Sequence, residues 1–211
     1  MSINIVLGSA SPARAQILER AGVAFEQVAA DLDEQALVTD LPEPRAQAQA
    51  LAAAKGHVVA DILLAQDRVT DPTYVIAADS VFEFEGQAFG KPHTPEVATR
   101  RWQAQRGNTG ILHSGHTVIA VLGGRKQRVL QETVSATVSF ADVPDAVIEA
   151  YVATGEPLGV AGGFTLEGHG ATMITGIDGD PNAVLGLSLR AVREMLQRLD
   201  VSLTSLWHAT T

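Results

Sequence analysis

The sequence contains no cysteine. That excludes a disulfide framework, a thiolate zinc site, an iron–sulfur cluster and a cysteine nucleophile, and it fits a cytoplasmic address. Positive charge is scarce too: 15 Lys and Arg against 24 Asp and Glu leave a formal net charge of −9. Such an average repels nucleic acid and anionic membranes, so neither is expected as a partner. An anionic ligand would need a local basic pocket. No uninterrupted apolar run approaches the ~18 residues of a membrane-spanning helix. The opening residues, MSINIVLGSAS, lack a basic segment and read as a strand, not as a signal peptide. Aromatic residues make up only 5%, which leaves close helix packing and tight turns to build the core. What is present suffices for one: 46% of residues are apolar and 18% charged, outside the range of a disordered chain. A length of 211 residues suits one large domain over 1–211, with room for two lobes around a cleft.

Patterning gives a mixed set of elements. Ile3 to Leu7 alternate as a strand, Gly8-Ser9-Ala10-Ser11-Pro12 is turn chemistry, and Ala13 to Ala21 follow as a helix with Gly22 past its end. Phe25 to Ala30 suggest a second strand leading into an acidic loop, Asp31 to Glu34. Pro42 to about Leu64 is the strongest helix, weakened at Gly56. Tyr74 to Ala78 form a short buried strand that delivers Asp79 at its end. Hairpins are expected around Glu85-Gly86 and Gly123-Gly124. Helices are expected over Pro95 to Arg106 and Pro144 to Thr154, a strand around Ala171 to Ile177, and a closing amphipathic helix over Asn182 to Leu199. The class is α/β on a mixed sheet, since central hairpins fit poorly with a purely parallel one.

Four groups of residues could carry chemistry. The first is the turn holding Ser9 and Ser11 ahead of a helix that contains Arg14. A helix N-terminus presents unpaired N–H groups and the positive end of the dipole, small residues allow a phosphate to approach, and an arginine can grip it with two donors. An ordinary turn capped by Ser11 is the commoner use of that pattern. The second and third are Glu34 in its loop and Asp79 after its strand, oxygen ligands suited to a hard divalent ion or to orienting water. Singly, such carboxylates are more often solvated. The fourth is a pair of lysines: Lys55, the only charge in the stretch Ala46 to Val59, and Lys91 before Pro92. Each alone reads as surface charge; together with the rest they describe an anion-plus-metal site. His113 and His116 fall on opposite faces of a strand and make a poor metal pair. Gly162-Gly163 and Gly168-His169-Gly170 read as turns.

Leu7-Gly8-Ser9-Ala10-Ser11-Pro12-Ala13-Arg14, Asp33-Glu34, Leu51 to Lys55, Ala78-Asp79-Ser80-Val81, Gly90-Lys91-Pro92 and the stretch Gly179 to Leu187 resemble, in order and spacing, the Maf family of nucleoside triphosphate pyrophosphatases. The resemblance implies a cytoplasmic enzyme, dependent on Mg²⁺ or Mn²⁺, that splits a nucleoside triphosphate into monophosphate and pyrophosphate, and a homodimer. It implies an elongated mixed sheet with flanking helices and a central cleft, as in inosine triphosphatase. By position Asp79 matches the catalytic aspartate and proton acceptor, and Glu34 the metal-associated glutamate. Ser9, Arg14, Lys55 and Lys91 match phosphate-binding positions, with Ser11 beside them. Three positions depart: Ala13 stands where many members carry an arginine, Val160 where many carry a lysine, and the histidine that often follows the Gly-Arg of the middle hairpin is replaced near Gly110. Glu167 stands where one branch carries glutamine; a carboxylate, which only accepts, favours a base with paired donors such as guanine or 7-methylguanine. Non-standard or methylated nucleotides are therefore candidate substrates. A nucleotide-binding regulator linked to septation, with weak or no hydrolysis, is the alternative.

Overall fold

The computed structural model describes residues 3–69 and 72–207. Its centre is a seven-stranded sheet. The strands are β1 (Asn4–Leu7), β2 (Glu26–Gln27), β3 (Thr73–Phe84), β4 (Gln87–Phe89), β5 (Thr109–Leu122), β6 (Arg125–Phe140) and β7 (Ile174–Asp178), in the order β2-β1-β3-β5-β6-β7 with β4 also on β3. β1 lies parallel to β2 and β3, and the remaining pairings are antiparallel, so the sheet is mixed as expected. Both predicted hairpins form, with Gly86, Gly123 and Gly124 at positive φ.

Helices cover both faces. α1 (Pro12–Arg20) has Ser11 as its cap, and Gly22 lies just past its end at φ 71°. α1 and α7 (Leu189–Gln197) bury Ile17, Leu18, Val192, Met195 and Leu196 against Leu7, Tyr74, Ile76 and Val118. On the opposite face α3 (Pro44–Ala65) packs Val59, Ala60 and Leu63 onto Val6, Val75 and Ile119. α3 has the length and apolarity of a membrane span, with a window of mean hydropathy 1.2. The sequence shows no such unbroken run because charged and polar residues interrupt it, and here its apolar stripe lies on the sheet. Gly56 is placed by this packing: a Cβ would sit 3.3 Å from the Thr117 methyl and 3.4 Å from that of Ala77. The scarce aromatics gather at the far end of β3, where Phe82, Trp102, Phe140, Tyr151 and Phe164 make edge-to-face contacts under α4 (Pro95–Gln105) and α5 (Asp145–Ala153).

Four expectations need correction. The second strand shrinks to two residues, because β1 pairs with it only at Glu26 and Gln27. The acidic loop is partly helical: Asp33 accepts from the Ala36 N–H and caps α2 (Glu34–Val38). Asp79 does not end its strand but lies inside β3, opposite Gly115 of β5. The closing helix is two, α6 (Pro181–Val184) and α7, since Gly186 takes φ 111° and Asp180 and Ser188 each cap a separate start.

The place of Asp79 inside β3 locates the cleft. On one side β3 is paired with β5 continuously from Thr73 to Glu83. On the other it is paired with β1 only over Thr73 to Ile76, and with β4 only over Phe82 to Phe84. Among the described residues no strand fills that edge between, and Asp79 and Ser80 stand in the notch. The ends of parallel strands are where α/β sheets open, and here the relevant end is that of β1.

Candidate active site

The notch opens into a cleft of about 420 Å³. Ser9, Ser11, Arg14, Glu34, Lys55, Asp79, Lys91 and Glu167 all line it, so the structure brings every sequence-predicted site residue to one cavity. They divide by position. Ser9, Ser11 and Arg14 come from the β1–α1 turn, Glu34 from α2, Lys55 from α3 and Asp79 from β3. Lys91 comes from the loop before α4, and Glu167 from a segment without helix or strand, beside Phe164, Thr165 and Leu166.

Arg14 is buried and bonded at each of its nitrogens. Nε donates to the Gly186 carbonyl at 2.8 Å, one terminal nitrogen to Ser9 Oγ at 3.1 Å, and the other to Ser80 Oγ at 3.2 Å. The latter nitrogen also lies 4.0 Å from Asp79 Oδ1. Burial makes the guanidinium less willing to hold its proton, and the charges of Asp79 and Glu34 oppose that. Ser80 Oγ bonds Ser114 Oγ at 2.8 Å, and Ser114 donates to the Ala183 carbonyl at 2.7 Å, so the polar chain runs from Arg14 to α6. Ser9 accepts the Ser11 N–H at 3.2 Å, while Gln27 donates to the Ser9 carbonyl at 2.8 Å.

Lys55 joins the two acidic residues. Its ammonium bonds Asp79 Oδ2 and lies 2.7 Å from Glu34 Oε1. Asp79 is buried and its other oxygen accepts the Ser80 N–H at 2.7 Å, whereas Glu34 is largely exposed. Two carboxylates thus converge on one cation beside a helix N-terminus and a buried arginine. That arrangement can bind a polyanion and present a carboxylate to it.

The other half of the cleft is apolar, formed by Leu112, Val160, Ala161, Phe164, Leu166 and Val184. Ala13 and Val160 both line the cavity, so neither of these two departures from the resembled pattern is remote. Gly162 approaches a side chain of the protein itself: a Cβ there would lie 2.7 Å from Phe82. His113 and His116 point to opposite faces, as strand alternation requires. His113 bonds Ser135 and Glu83, and His116 bonds the Glu132 carbonyl and the Ser188 N–H. Sequence reasoning gives Ser80 and Gly186 only as members of quoted stretches, with no role, and does not single out Ser114; a serine in a strand and a glycine after a helical turn carry no local signal of a partner far along the chain.

Residues 4–199 match the family model described as Maf-like protein. A protein named nucleoside triphosphate pyrophosphatase from Leifsonia xyli subsp. xyli is 42% identical, over 98% of this chain and 97% of the relative. One of the same name from Streptomyces coelicolor is 46% identical, over 96% and 94%. Among solved structures the Staphylococcus aureus Ham1 protein aligns over 66% of this chain and 72% of its own, at TM-score 0.40 and 14% identity, a likeness too slight to argue from. The matched span runs from β1 through α7 and takes in the turn of Ser9, the notch of Asp79 and the loop of Glu167, and on that extent the chain belongs to the Maf family.

Proposed function

We propose that the chain hydrolyses a nucleoside triphosphate to the monophosphate and pyrophosphate. The observation that carries this is the buried Asp79 carboxylate, held beside Lys55 and Arg14 at the start of α1 with an apolar wall across the cleft. The names of the full-length relatives support the same activity. The polar half takes the phosphates: the Ser9 and Ser11 hydroxyls and the first N–H groups of α1 donate to their oxygens, and Arg14, Lys55 and Lys91 offset their charge. Asp79 orients a water molecule on the α–β bridge and takes its proton. The apolar half takes the nucleoside, with Glu167 at its edge available to the base.

A divalent cation fits the donors present. Glu34 and Asp79 offer hard oxygens and already converge on one positive charge. Among the described residues no group of three or more Asp, Glu, His or Cys assembles. Mg²⁺ is commonly bound by one or two carboxylates, completed by substrate phosphates and water. Glu34 and Asp79 would hold it, and it would neutralise triphosphate charge. The phosphates would then draw the Lys55 ammonium from its carboxylates. A cytoplasmic address and a homodimer belong to the same proposal through the family.

The test is pyrophosphate release from a panel of standard and methylated nucleoside triphosphates, with and without Mg²⁺ or Mn²⁺. Asp79→Asn should lower turnover by about a hundredfold or more while nucleotide affinity stays within about tenfold. Glu167→Gln should shift the base preference. No release from any nucleotide, with tight binding retained, would instead make the chain a nucleotide-binding regulator.

A further inference from the structure

Glu156 lies outside the polar half of the cleft and does not line it. It opens the short turn Glu156–Gly159 that follows α5 and Gly155. Its side chain is 19% exposed, and its carboxylate is bonded on both oxygens. Oε1 accepts from the Thr165 hydroxyl and from the Gly170 N–H at 2.9 Å. Oε2 accepts the His169 N–H at 2.9 Å and bonds His169 Nδ1 at 2.8 Å. Burial alone would push such a carboxyl up; these bonds hold it down, to about 2.

The bonds fall at the two ends of one segment. Thr165 is at its start, His169 and Gly170 at its end, and between them Leu166 and Glu167 line the cleft. Residues 164–168 belong to no helix or strand, so no regular ladder fixes this wall. The glycines of the segment fit around the carboxylate. Gly168 has φ −128°, which other residues adopt, but a Cβ there would lie 2.6 Å from the Glu156 carboxylate. A Cβ at Gly170 would lie 2.7 Å from the Tyr151 hydroxyl and 2.8 Å from the Thr165 nitrogen.

We infer that Glu156 is a positioning residue that sets the nucleoside wall, and so governs which nucleoside is held, through Leu166 and Glu167, while the phosphates are held independently by Ser9, Arg14 and Lys55. The inference rests on the pyrophosphatase proposal and extends it to a residue that touches no substrate. Its signature is a split between two ligands. Inorganic triphosphate needs only the polar half, whereas a nucleoside triphosphate needs both.

The experiment measures affinities of the full chain for inorganic triphosphate and for an α,β-methylene nucleoside triphosphate, a form that cannot be cleaved at that bridge. Glu156→Gln keeps one acceptor oxygen but turns N–H groups toward the N–H of His169. It should weaken nucleotide binding about tenfold and leave inorganic triphosphate within about twofold. With the cleavable nucleotide, KM should rise and kcat persist. Gly168→Ala keeps the glutamate but crowds its carboxylate out of position, and should give the same split. Combined with Glu156→Gln it should add little, because both act through one contact. Equal weakening of both ligands, additive effects, or a loss of thermal stability with both affinities kept would overturn the inference. Lys55→Met is the control for the underlying proposal: if it fails to weaken inorganic triphosphate, the pyrophosphatase proposal itself fails, and the inference with it.

Discussion

Arg14 directs three N–H groups to oxygens supplied by three distant parts of the chain, at Ser9, Ser80 and Gly186. The planar fork meets them at fixed angles, and an ammonium cannot reach all three. Arg14→Lys should therefore leave at least one buried acceptor short of a donor. We expect a loss of about 1–3 kcal/mol in a denaturant titration, together with weaker nucleotide binding, although the charge is conserved. The sequence marked Arg14 through its place in the first turn of a helix after a serine-rich turn. It could not mark Ser80 or Gly186, because their role exists only once β3 and α6 have been brought against α1. The mutual pairing of Lys55, Glu34 and Asp79 was hidden in the same way. Lys55 is legible as a charge suited to a polyanion, and Glu34 and Asp79 as oxygen ligands for a divalent ion, but that the one ammonium pairs with both carboxylates is a fact of helix α3 lying over the notch.

The element that sets Lys55 is α3, and its seat on the sheet depends on a residue of β5. A Cβ on Gly115 would lie 2.3 Å from the Ala48 carbonyl oxygen and 2.7 Å from the Gln49 Cα, both backbone atoms of α3. Backbone cannot swing aside as a side-chain tip can. Gly115→Ala should lift this end of α3, cost about 1–3 kcal/mol in thermal or chemical unfolding, and reduce activity by moving Lys55 away from Asp79. Element boundaries were legible where turn chemistry is strong, as at Ser11-Pro12, Glu85-Gly86 and Gly123-Gly124. They failed where tertiary contacts decide. The apolar spacing of 182–199 reads as one helix, since a single glycine in such a pattern is tolerated. What breaks it is Gly186 at φ 111°, with its carbonyl on Arg14, and the separate caps at Asp180 and Ser188. The apolar run Tyr74 to Ala78 stops at Asp79 and so reads as a strand end, but β3 continues beneath the aromatic pack through Phe82 and Phe84.

At the scale of the molecule, stability should fall with acid in two stages. His116 is wholly buried, accepts the Ser188 N–H and is pushed down to about 4 by burial. In the unfolded chain it takes a proton near its ordinary value of about 6.5, so the unfolded state binds more protons between those values. Folding stability should therefore decline by up to about 3 kcal/mol as the pH drops from about 6.5 to about 4. Glu156, held down to about 2, adds stability that is present above the ordinary carboxylate range and is lost as pH falls through its folded value. Melting temperature against pH should show both declines, and His116→Gln should remove the upper one only.

β3 runs unbroken beneath the polar half, the notch and the aromatic pack, and β5 is laddered to it from Thr73 to Glu83. The floor of the cleft therefore has no hinge, and a ligand cannot enter or leave by bending it. Breathing falls to the walls: the short α2 that carries Glu34 and the segment that hangs from Glu156. Local opening follows the weakest contacts of a fold, so the clock for product departure is set in those few bonds and not in the sheet. Amide hydrogen exchange should then separate a slow floor from two fast banks.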